Sequence, residues 1–119
     1  PKIVGNGPPE SLFHIVEDAG VPIGMGGVRP VRPGICEMKR VYVREAARGR
    51  GLGRQLVERL IRDARGFGYD QMFLDTAPTL TTAIALYEGL GFARIPPYPE
   101  VEVPPIMHPH WVFMSKALN

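Results

Sequence analysis

Residues 43–61, VREAARGRGLGRQLVERLI, carry the chain out of a strand and into a helix, and the change of period inside them decides the fold. Upstream, ICEMKRVYV at 35–43 alternates Ile35, Glu37, Lys39, Val41 and Val43 against Cys36, Met38, Arg40 and Tyr42, the period of a strand with incompletely separated faces. From Leu52 the apolar residues recur in steps of four and one, at Leu52, Leu56, Val57, Leu60, Ile61 and Ala64, which is the stripe of an amphipathic helix. Gly66 and Gly68 end that helix.

Working outward, SLFHIVED at 11–18 reads as a strand that stops at the turn signal Asp18-Ala19-Gly20. Val21 to Val31 holds Pro22, Gly24, Gly26 and Gly27, too many breakers for a helix, and suits a second strand paired with the first as a hairpin. With 35–43 these form an antiparallel meander. QMFLD at 71–75 is short and apolar, a buried strand after a helix. Ala83, Ile84, Leu86, Tyr87 and Leu90 predict a second helix across 79–90, and WVFMSKAL at 111–118 a final strand. Between them Ile95 to Pro109 carries six prolines and is expected to be a long loop, reaching to about residue 110, on the surface or over a site. The fold class is therefore α/β (α+β): a mixed sheet with two helices packed on it, in which helix 52–65 is the crossover that sets strand 71–75 parallel to strand 35–43.

At 119 residues, the sequence is expected to form one domain over 1–119, with residues 1–10 as a flexible lead-in. It contains no run of eighteen apolar residues and no signal-peptide pattern, and its single cysteine, Cys36, excludes an internal disulfide framework and a multi-cysteine zinc site. The expected location is the cytoplasm. The net charge of +2 conceals a local excess: nine basic and three acidic residues lie between Lys39 and Arg65. Such a patch suits nucleic acid, an anionic membrane or a phosphorylated small molecule.

The turn Arg48-Gly49-Arg50-Gly51-Leu52-Gly53 has the pattern of a phosphate-binding turn. Its glycines remove Cβ atoms that would hold an anion away from the backbone. The helix start behind it presents N–H groups without intrahelical partners and about half a positive charge, the setting in which phosphates bind. Neither G-x-G-x-x-G nor the P-loop Gly-Lys-Ser/Thr is present.

Arg48-x-x-Gly51-x-Gly53 resembles the Gln/Arg-x-x-Gly-x-Gly/Ala signature of the GNAT superfamily of acetyl-CoA-dependent N-acetyltransferases. EMKRVYV at 37–43 is similar to that family's central strand, and AIALYEGLGF at 83–92 to its second signature. The likeness covers about residues 11–118. It implies that the amides of Arg48, Gly49, Arg50, Gly51, Leu52 and Gly53 hold the pyrophosphate of acetyl-CoA, with Arg48, Arg50 and Arg54 supplying positive charge. It further implies that the backbone of Val41, Tyr42 and Val43 pairs with the pantetheine arm. Glu37 matches the base of histone-acetyltransferase-like members, on the strand face shared with Lys39 and Val41, and Tyr87 matches the tyrosine that donates to the coenzyme sulfur. Cys36 points to the opposite face and is expected to pack.

Two departures stand out. The asparagine seven residues before the tyrosine in many relatives is Leu80 here, and PKIVGNGPPE does not supply the strand and two helices that usually open the family and wall the acceptor side. The expected function is transfer of an acetyl group from acetyl-CoA to a primary amine of a small molecule, amino acid or peptide. The alternative is a non-catalytic acyl-CoA-binding module. Tyr98, Glu100 and Glu102 in the loop could receive a cationic amine, His108 and His110 lack the company a metal site needs, and His14 reads as structural. No metal, nucleic acid or membrane is expected as a partner, and a homodimer is allowed.

Overall fold

The structure, a computed structural model, describes residues 2–6, 12–49 and 51–119. Seven strands form one sheet in the order β1-β2-β3-β4-β5-β7-β6. β2 (Leu12–Asp18), β3 (Val21–Arg32) and β4 (Ile35–Val43) make the antiparallel meander. α1 (Leu52–Gly66) then crosses over so that β5 (Gln71–Thr76) runs parallel to β4. After α2 (Thr81–Gly89) come the two-residue β6 (Ala93–Arg94) and β7 (Val112–Ala117), which inserts antiparallel between β5 and β6. The segment expected as a lead-in contains a strand, β1 (Lys2–Asn6), paired antiparallel with β2. KIVGN is too short to announce itself by period, and it gains its hydrogen bonds from an edge that β2 offers.

Both helices cover one face of the sheet. Leu56, Val57, Leu60 and Ala64 of α1 and Ile84 and Tyr87 of α2 meet Val16, Cys36, Met38, Met72, Leu74 and Met114 there. Each large apolar side chain fully buried in that layer contributes about 1.5–3 kcal/mol. Gly26 permits the close approach of α1, since a Cβ at this position would lie 3.0 Å from Leu60 Cδ1. Among the described residues, no helix is long and apolar enough to cross a membrane.

The other face carries a smaller core of Phe73, Tyr98 and Phe113, with Ile95, Val101 and Trp111 packed against it. Most of these residues come from the proline-rich segment 95–111, which is laid across the sheet as a strap and contains a 3-10 turn at Pro105–His110.

β4 does not keep its alternation to the end. Gly27 faces Lys39 and Met25 faces Tyr42, so two residues of β4, Arg40 and Val41, oppose the single Gly26. This is a β-bulge, and Arg40 takes the positive φ of 57° that such a kink demands. The extra residue reverses the phase of the strand. Met38 faces the helices before the bulge, and Val41 and Val43 do so after it. Glu37 and Val41, placed on one face by the sequence pattern, therefore lie on opposite faces.

Candidate active site

β4 and β5 are bonded only from Ile35–Gln71 to Glu37–Phe73, although β4 continues to Val43 and β5 to Thr76. Beyond these pairs the strands splay, and the bulge at Arg40 turns β4 away from its neighbour. Beyond Glu37 the main-chain groups of β4 have no partner in β5, which makes a strand edge inside a sheet. A cleft of about 360 Å³ occupies the gap. Met38, Lys39, Arg40 and Val41 line it from β4, Leu74, Asp75 and Thr76 from β5, Leu80, Ala83 and Tyr87 from the α2 region, and Trp111 from the end of the strap.

The glycine turn stands at the far end of β4. Gly49 and Gly51 hold left-handed φ of 85° and 72°, and a Cβ added to either would meet nothing within 4 Å. Gly51 is the N-cap of α1 and no side chain caps that terminus. The first intrahelical acceptor is the Gly51 carbonyl, which receives Gln55 N–H at 3.1 Å, so the amides of Leu52, Gly53 and Arg54 precede the regular ladder. Leu52 is buried, and its side chain anchors the turn to the core. Arg48 Nε donates to the Val43 carbonyl at 3.0 Å, and its guanidinium lies 5.7 Å from the centre of the exposed Tyr42 ring. Arg54 is exposed, with Glu58 at 3.8 Å. Arg50, also expected to contribute, lies outside the described residues. An anion with a narrow extended arm fits these features: bare amides and arginine at one end, an unpaired strand edge leading inward.

At the inner end Tyr87 is buried, edge-on to Phe92 with ring centroids 5.8 Å apart, and no described residue bonds its hydroxyl. Burial raises its pKa above that of free tyrosine, so at neutral pH the phenol keeps its proton and is able to donate it. Asp75 stands across the cleft. Its Oδ1 accepts Trp111 Nε1–H at 2.9 Å, and among the described residues it has no ion pair. Sequence reasoning missed this carboxylate. The signal available was its position, two residues past the last residue of β5 that pairs with β4, but only the length of the β4–β5 ladder makes that position significant.

Glu37 is elsewhere. Fully buried, it accepts Arg29 Nε–H at 2.6 Å and the Tyr98 hydroxyl, with Lys39 Nζ at 3.6 Å, and it does not line the cleft. The structure brings Tyr87 and Val41 together in the cleft and leaves Glu37 beneath the strap. Glu100 pairs with Arg32 at 2.9 Å and Glu102 with Lys39, so neither is a free acceptor of a cationic amine. Cys36 packs in the helix-side core, and burial pushes its thiol up to about 12, which removes it as a nucleophile. His108 Nε2 lies 2.7 Å from the Val103 carbonyl, and His14 Nε2 lies 2.6 Å from Asp63. Among the described residues no group of three or more His, Cys, Asp or Glu is arranged to hold a metal ion.

Comparison with known proteins bears on the family and the fold. Residues 4–92 match the model of the acetyltransferase (GNAT) family. An uncharacterised N-acetyltransferase from Schizosaccharomyces pombe is 39% identical over 104 residues, covering 86% of this chain and 64% of that protein. A crystal structure from Klebsiella pneumoniae, provisionally assigned as an acyl-CoA N-acyltransferase, superposes with a TM-score of 0.82 at 30% identity, covering 94% of this chain and 76% of that one. Another from Salmonella typhimurium, provisionally assigned as an acetyltransferase and solved with acetyl-CoA, gives 0.73 at 28% identity over 93% of this chain and 66% of that one. The chain spans 64%, 30% and 54% of the lengths of three curated relatives that it matches.

Proposed function

The chain belongs to the acetyltransferase (GNAT) family, and from that premise we propose that it moves the acetyl group of acetyl-CoA to a primary amine of a small molecule, amino acid or peptide. One observation carries the reading. The gap between β4 and β5 holds a protonated Tyr87 and a carboxylate, Asp75, that has no ion pair among the described residues, and β4 runs on from it toward the turn whose amides at Gly51–Gly53 no side chain caps.

In this reading the amides of the Gly49–Gly53 turn and the start of α1 take the pyrophosphate, and the open edge of β4 takes the pantetheine arm as an added strand. When bound, acetyl-CoA supplies an activated acyl thioester. Asp75 attracts the ammonium form of the acceptor and accepts its proton, releasing the free amine. We assign this step to Asp75 in preference to Glu37, whose carboxylate is committed to Arg29 and Tyr98. The amine nitrogen then bonds to the carbonyl carbon and the carbon–sulfur bond breaks. Tyr87 gives its proton to the departing thiolate and regains one from the acylated nitrogen through solvent. The amide of Val43 or Val41 in β4 polarises the carbonyl as an oxyanion donor does.

The test is thiol release from acetyl-CoA with a panel of primary amines, beside calorimetry for the coenzyme. Turnover that Asp75→Asn lowers by about a hundredfold, with coenzyme affinity retained, supports the assignment. Binding without turnover for any amine supports the other reading, a non-catalytic acyl-CoA-binding module.

A further inference from the structure

The buried carboxylate of Glu37 remains unused by this mechanism, and its surroundings are specific. An apolar residue at position 37 would fill the space beneath the strap at no electrostatic cost, since replacing a buried ion pair by apolar side chains is often neutral or stabilising. The carboxylate instead collects two attachments of the strap. Tyr98, seated against Phe73 with centroids 4.5 Å apart, donates its hydroxyl to one oxygen. Arg29 gives Nε–H to the other at 2.6 Å and, from the same guanidinium, Nη2–H to the Glu100 carbonyl at 3.1 Å. Arg32–Glu100 and Lys39–Glu102 add exposed pairs around it. The strap returns to the sheet at Trp111, and there the indole N–H fixes Oδ1 of Asp75.

We infer that Glu37 is a positioning residue: it latches strap 95–111 to β3 and β4, and the latched strap, through Trp111, sets the orientation of Asp75 in the cleft. The inference rests on the acceptor role proposed for Asp75, but the latch itself can be measured without catalysis. Trp111 is the sole tryptophan of the sequence, so fluorescence excited selectively in the tryptophan band, where the four tyrosines do not absorb, reports on the strap.

Two variants test it. Tyr98→Phe keeps the ring between Phe73 and Phe113 and removes only the hydroxyl; Glu37→Gln keeps the shape and removes the charge. In the unliganded protein, both are expected to raise acrylamide quenching of Trp111 by about twofold or more, because the strap opens locally more often. In turnover, both are expected to raise KM for the amine about tenfold while the affinity for acetyl-CoA and the shape of the pH–rate profile are retained. Unchanged quenching in both variants overturns the latch whether or not the protein acetylates amines. Loss of kcat and of a limb of the pH–rate profile in Glu37→Gln, with Trp111 undisturbed, makes Glu37 a base and also overturns it. Increased quenching with no amine turnover in the parent protein upholds the latch and removes only the acetyl-transfer reading.

Discussion

Replacing Gly51 with alanine isolates one term at the coenzyme turn. The residue has φ 72° and ψ 13°, and an added Cβ meets nothing within 4 Å, so the substitution introduces no clash. What remains is the conformational cost of holding an L-residue in the left-handed region, about 1–2 kcal/mol. That cost must appear somewhere. If the turn keeps its shape, folding stability falls by this amount and Tm by about 4–8 °C for a chain of this size. If the turn relaxes to negative φ, the amides of the α1 start point elsewhere, and the dissociation constant for acetyl-CoA rises by about 5- to 30-fold. Gly53→Ala is the control of opposite sign. Gly53 has no left-handed φ, it lies inside the first turn of α1, and its Cβ would make ordinary contacts of 3.8 Å with Leu86 and 3.9 Å with Val43. Alanine there is expected to stabilise by about 0.5–1 kcal/mol. Thermal unfolding and calorimetry on the three proteins decide the matter. A Gly51→Ala variant with parental Tm and parental coenzyme affinity refutes the reasoning.

Tyr87→Phe is expected to lower kcat by about a hundredfold with little change in coenzyme affinity. Because burial raises the Tyr87 pKa, the phenol stays protonated to higher pH than a free tyrosine, so the parent protein shows no loss of rate from this group below about pH 10; an alkaline limb near neutrality that Tyr87→Phe abolishes contradicts the donor role. Cys36, its thiol pushed up to about 12, is expected to react with a disulfide reagent at pH 8 only as fast as the protein unfolds; rapid labelling of the native protein contradicts its placement in the core.

Much of the architecture was legible because periodicity survives where an element is long and one-sided. The stripe from Leu52 to Ala64 gave α1 to within a residue, and the crossover then made β5 parallel to β4. β1 was not legible, since five residues with a glycine at the fourth carry no period. Nor was the phase change in β4: a bulge is one inserted residue, and the alternation around EMKRVYV reads almost equally well on either side of Arg40. The site divided along the same line. The turn at Gly49–Gly53 is marked by its local sequence as a phosphate-binding turn, whereas the part proposed for the strand end at Val41–Val43 comes only with the family resemblance. The placement of Glu37 and Asp75 does not follow from local sequence, because it depends on how far β4 and β5 stay bonded and on where the strap lies, both of which are long-range. The strap is where composition misleads most. Six prolines announce an irregular segment, but they do not reveal that Tyr98 fills a second core or that Glu100 and Glu102 are held by Arg32 and Lys39.

The central claim is that the turn and the open edge of β4 together receive acetyl-CoA. Residue-resolved amide hydrogen exchange with and without the coenzyme tests it most directly. Slowed exchange is predicted at Val41 and Val43 and across Gly49 to Arg54, with little change in β1 and β2. Protection confined to other elements, or no change at these amides at saturating coenzyme, would contradict it.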